Sequence, residues 1–256
     1  MLKSADEVRT QIAPNLQKLL NDIRLESDDP RPLMFGDEQE FKISKGYPFP
    51  DGVNACIDSS QNKHIIFLKQ IDKIGTKEED DIAHELGHLW LLLLGLPSER
   101  VMLINTYRQT NWDAFFGPLR EIMEHAVYYP ILKNKYQIDL YKIGNKRVAD
   151  FITDQLPGLN NITANEKLFL ILNYIKYEVE SDDQYQLEKL HDAYSEIVSD
   201  VKTIADKVLH IVQKLAGITD AHLFISQYRK VLEILDTHFG VPAELWPNFV
   251  KQTNNR

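Results

Sequence analysis

The sequence predicts an α+β fold that is mostly helical, with a small β-hairpin beside one motif-bearing helix and a C-terminal helical region behind it. Three observations carry this. Apolar residues recur at helical spacing over most of the chain. Two β-favouring runs, GVNACID and HIIFLKQI, flank the polar loop DSSQNK. From residue 164 onward the pattern is helical almost without interruption.

The elements follow in order. Val8, Ile12, Leu16, Leu19, Leu20 and Ile23 predict one surface helix from about 5 to 26, ended by SDDPRP. The hairpin comes next. Thr76 followed by Glu79 reads as a capping box, and Gly95 with Pro97 as a stop, so a helix is expected over about 77–94. Gly87 inside it is expected to permit close packing of a neighbour, since a mid-helix glycine otherwise costs about 1 kcal/mol. A further helix runs from Pro118 to about 133, with Pro130 as a kink or stop. Others are expected near 164–180, 184–215 and 220–239. LPGLNNITAN (156–165) reads as a linker between a catalytic region, 1–155, and a helical region, 156–256, that can pack as part of the same domain.

Composition limits the functions to consider. A net charge of −9 argues against broad nucleic-acid binding, which depends on Lys and Arg neutralising phosphates. The single cysteine, Cys56, cannot form an internal disulfide, and the N-terminal stretch has no apolar signal region. The longest apolar run, Leu89 to Leu96, is far below the ~20 residues of a membrane span. A cytoplasmic protein without membrane association is expected.

The chemistry lies in DDIAHELGHLWLLLLGLP, residues 80–97, where His84, Glu85 and His88 form H-E-x-x-H. Residues four apart share a helix face, so His84 and His88 can direct two imidazoles at one metal. Glu85 falls beside that metal, where a general base for a metal-bound water belongs. Random placement of the chain's histidines and glutamates gives roughly 0.02 copies of this pattern. A plain core helix would have to bury three polar side chains without such partners. Zn2+ is the expected cofactor.

A hairpin of short strands, then AHELGHLW on a helix, then a glutamate-bearing helix, resembles the ImmA/IrrE-type zinc metallopeptidases, a gluzincin-like group. The resemblance covers roughly 40–135. It implies a zincin-like catalytic core with the small sheet packed on the HExxH helix, and zinc held by His84, His88 and a downstream glutamate, with Glu85 as base. It also implies a peptide or protein substrate in the cytoplasm, such as a transcriptional regulator. The helices after 160 lie outside it.

The third ligand stays open between Glu121 and Glu124. The metzincin pattern is absent, because Leu91 and Leu94 stand where its Gly and His would be. Glu99 and Asp113, in expected loops, are weaker candidates. The family's usual spacing fits Glu121, with His125 in the place of a supporting polar residue and Ile131–Leu132 as the following apolar pair. Helical periodicity sets Glu121 opposite the apolar face of Leu119, Ile122, Met123, Ala126 and Val127, with Glu124 flanking it. Tyr128, His125 and Tyr107 are candidate oxyanion donors, Tyr128 first because it shares a face with Glu121, Glu124 and His125. In the C-terminal half, His191, His210, His222 and His238 lack metal-ligand spacing, and EVESDDQ (178–184) reads as a solvated turn.

The expected function is peptide-bond hydrolysis by a zinc metallopeptidase, with a regulatory role through a cytoplasmic protein target. The competing expectations are a catalytically weak zincin-fold module that binds a regulatory protein, and a metal-free helical interaction protein.

Overall fold

The structure, a computed structural model, describes residues 2–27, 29–51, 53–60, 62–71, 74–96, 113–156 and 162–240. Pro97, Glu99, Tyr107 and residues 157–161 of the expected linker lie outside the described residues. The chain divides into two compact units, residues 1–94 with 132–138, and residues 95–131 with 139–256.

The first unit holds β1 (Lys3–Ser4), α1 (Ala5–Arg9), α2 (Pro14–Glu26), β2 (Leu33–Gly36), α3 (Glu38–Lys45), β3 (Ala55–Ser59), β4 (His64–Leu68) and α4 (Thr76–Leu93). Its sheet runs β1-β2-β4-β3, with β2 parallel to β4 and the other pairs antiparallel. The expected hairpin is present as β3–β4, Ser59 opposite His64 and Ala55 opposite Leu68. Strand β4 is buried at all five positions, as a central strand covered on both faces should be. Ile65 and Phe67 pack with Phe41 of α3 and Phe49. Helix α4 packs on β3 and β4 and against α2. Strands β1 and β2 and helix α3 were not expected, because two- and four-residue strands offer too few positions for an alternating pattern.

The expected single helix over 5–26 is two helices. Pro14 has no amide hydrogen and opens α2, while the Ala13 N–H ahead of it donates to Glu79 Oε1 at 2.6 Å. That contact also corrects the capping box expected at Thr76. Glu79 serves the start of α2, and α4 begins one residue earlier, where the Gly75 N–H donates to Glu78 Oε2 at 3.0 Å. The last residues of the next helix, α5 (Asp113–Tyr136), belong to this unit, with the Tyr136 hydroxyl donating to Asp22 at 2.9 Å.

The second unit contains the rest of α5, then α6 (Tyr141–Asp150) running into a π-turn at Phe151–Gln155, α7 (Ala164–Glu180), α8 (Gln184–Ile197), α9 (Ser199–Val212) and α10 (Ala221–Phe239). Helix α5 starts before the expected Pro118 and continues through Pro130. Thr163 caps α7 reciprocally with Glu166. Asp220 caps α10 through the amides of His222 and Leu223, and Gly240 closes it at φ 63°. The long helix expected over 184–215 breaks at Val198, whose φ of −143° and ψ of 53° are not helical. An unbroken helix of that length would run about 48 Å. The break lets α9 fold back and pack on both α7 and α8. Among the described residues no helix is long and apolar enough to cross a membrane.

Candidate metal centre

Helix α4 presents its histidines from a well-anchored body. Ile82, Ala83, Leu86, Leu89 and Leu91 are buried, and the Trp90 indole N–H donates to Glu26 Oε2 at 3.0 Å. His84 and His88 are half-buried one turn apart, with their Nε2 atoms separated by 3.2 Å and ring planes at 78°. Two nitrogens bound tetrahedrally to zinc at about 2.0–2.1 Å would stand roughly 3.3 Å apart, so the pair has the bite a single metal requires. Glu85, next to His84, is buried. Burial, then the charge of Glu85, pushes the Cys56 thiol up to about 12, so Cys56 remains a protonated thiol at neutral pH.

Helix α5 carries His125, whose side chain is 1% exposed. Its Nδ1 lies 2.6 Å from Glu180 Oε1 at the end of α7. Tyr129 stacks on its ring at 4.8 Å, and Tyr128, fully buried, meets it edge-on at 5.4 Å.

The His84 and His88 Nε2 atoms are two donors that one metal ion can share. The Glu121 side chain is 42% exposed, its Oε1 3.8 Å from His125 Nε2. Glu124 is buried, its Oε1 accepting from Arg120 Nη1 at 2.7 Å. Asp113, expected in a loop, opens α5.

Sequence reasoning placed His125 beside the site as a supporting or donor residue, although it sits one position before the buried Ala126 and Val127. Glu180 was missed altogether. The stretch EVESDDQ, expected to be a solvated turn, has Glu180 and Ser181 buried and Glu178 at 2.5 Å from His191 Nε2. No local signal marks Glu180, because its partner lies 55 residues away. No family model, curated protein or solved structure matches this chain.

Proposed function

We propose that this chain is a zinc-dependent metallopeptidase with a zincin-like core, similar to the ImmA/IrrE-type enzymes. The observation that carries the reading is the His84–His88 pair at 3.2 Å with Glu85 between them in sequence and buried beside them. An imidazole donor set at that spacing suits zinc.

In this reading His84 and His88 hold the ion together with a downstream glutamate, Glu121 or Glu124, as the family resemblance implies. When bound, zinc supplies Lewis acidity and brings the pKa of a bound water near ~7. Glu85 takes the proton from the attacking water and returns it to the leaving amine. Its burial excludes bulk water from that transfer. Tyr128 is the hydroxyl assigned to the developing oxyanion, and the substrate is a protein of the regulatory kind that the family resemblance implies.

The test is metal content of protein purified without chelators, followed by peptide hydrolysis by wild type and Glu85→Gln. The reading expects stoichiometric zinc in both and a fall in kcat of about 10²–10⁴ for Glu85→Gln, the usual contribution of a general base. Wild type without metal overturns it. Metal-loaded wild type that performs no better than Glu85→Gln indicates a binding module instead.

A further inference from the structure

We propose that Ser59 is a nucleophilic serine that accepts the acyl group of a small carboxylic ester, with His64 as its base and Asp29 as the positioning residue behind His64. All three lie in the first unit, and the proposal is independent of any metal.

The arrangement has the three parts such a centre needs: a hydroxyl, a base within hydrogen-bond reach of it, and a third group that orients the base. Ser59 ends β3, the outer strand of the sheet, and His64 opens β4 directly opposite. The Ser59 hydroxyl lies 2.9 Å from His64 Nδ1, and His64 Nε2 lies 3.4 Å from Asp29 Oδ2. That second contact is long, as such bonds often are before a substrate binds. An ionised carboxylate only accepts, so the hydrogen sits on Nε2 and the Nδ1 lone pair faces the hydroxyl. Arg31 Nε donates to both Asp29 oxygens, at 2.9 and 3.0 Å, and holds that carboxyl ionised. His64 is buried, which keeps its ring neutral and able to take a proton at neutral pH. Ser59 is only half-buried, so a small electrophile can reach the hydroxyl while the base stays out of water.

Bracing the hairpin does not call for this contact. The Ser60 amide and hydroxyl already donate to the Lys63 carbonyl, at 2.9 and 3.0 Å, and close the turn. Arg31 Nη1 ties that turn to the 29–32 segment through the Ser60 carbonyl at 2.8 Å. The line from hydroxyl to imidazole to carboxylate is additional to both. In the acylation step the Ser59 Oγ–carbon bond forms and the ester's bond to its alcohol oxygen breaks. The Ser59 proton passes to His64 Nδ1 and from there to the departing alkoxide. Water then repeats the sequence on the acyl-serine, releasing the carboxylic acid and restoring the hydroxyl.

The experiment treats the full chain with a fluorophosphonate, on which a serine oxygen displaces fluoride as it would an alkoxide, and maps the adduct by mass spectrometry. Wild type should carry the adduct on Ser59. Folded His64→Gln should label about 10²–10⁴-fold more slowly, the range of a general base. Asp29→Asn, whose amide donates to Nε2 and moves the hydrogen to Nδ1, should slow labelling as well, whereas a purely structural Asp29 would leave the rate per folded molecule unchanged. Wild type without an adduct on Ser59 overturns the proposal, and so does folded His64→Gln that labels at the wild-type rate. If His64→Gln does not fold, the His64 tautomer in wild type, read by ¹⁵N NMR, decides the base: Nε2–H supports the proposal and Nδ1–H sinks it. The readout is specific to Ser59, so failure here leaves the metal reading standing, and a chain that takes up no zinc leaves this proposal standing.

Discussion

Helices α4 and α5 both present imidazole nitrogens, and they fix them by different means. On α4 the helical repeat alone brings His84 and His88 to 3.2 Å, because residues four apart lie one above the other. On α5 a single histidine has no such partner along the helix. Its orientation comes from Glu180, 55 residues later, and from the stacked ring of Tyr129. A pair of histidines on one helix is therefore specified by local spacing, while a lone histidine is oriented by contacts that only folding can bring.

The largest expected effect tests that division directly. His84→Ala and His88→Ala should each lose Co2+ by more than the roughly 10–100-fold that removal of a supporting residue costs, and so should one of Glu121→Ala and Glu124→Ala. Chelator competition measures all four. If His84→Ala or His88→Ala keeps the metal, local spacing on α4 does not specify a ligand pair and the contrast between the helices collapses.

A substitution remote from any ligand should come next. In Gly144→Ala the new methyl meets the Glu180 carbonyl at a separation that no real Cβ tolerates, so α6 or α7 must move. The expected loss is about 1–3 kcal/mol in urea unfolding. An unchanged urea midpoint in Gly144→Ala would show that the close α6–α7 corner does not brace the fold.

The smallest effect concerns a buried histidine outside the centre. His64 is buried, with Nδ1 2.9 Å from Ser59 Oγ and Nε2 3.4 Å from Asp29, whose carboxyl Arg31 holds well below its ordinary range. Burial, then Arg31, lowers the pKa of His64 from 6.5, and Asp29 opposes this only in part. A depressed pKa makes the neutral ring the folded form. Its contribution is therefore fully present above pH 6.5 and is lost as pH falls through the lower folded value. Urea midpoints should decline on that acid side in wild type and decline less in His64→Gln. Equal slopes would show that His64 does not titrate between the two states in this way.

Much of the scaffold was legible because its signals are local. The β3–β4 hairpin announced itself through two β-favouring runs around a polar loop, and α7 and α10 through helical periodicity near 164–180 and 220–239, within a residue or so of their observed ends. The failures share a cause. Glu79 looked like a cap for its own helix and instead serves Ala13, 66 residues earlier. Val198 lies in an apolar pattern that runs on without interruption, and only the packing of α9 on α7 and α8 requires the break there. Proline at 118 and 130 suggested ends to a helix that continues through both.

The sequence by itself determined the placing of His84, Glu85 and His88, since H-E-x-x-H on a helix needs nothing beyond the α-helical repeat to set them. It also determined the mostly helical α+β character, through periodicity and caps. Only the tertiary structure decided that Glu180 leaves the charged turn to be buried against His125. The physical reason is one of range. Spacing along a helix fixes neighbours four residues apart, but a buried carboxylate acquires its partner only when chain segments far apart in sequence pack together and exclude water.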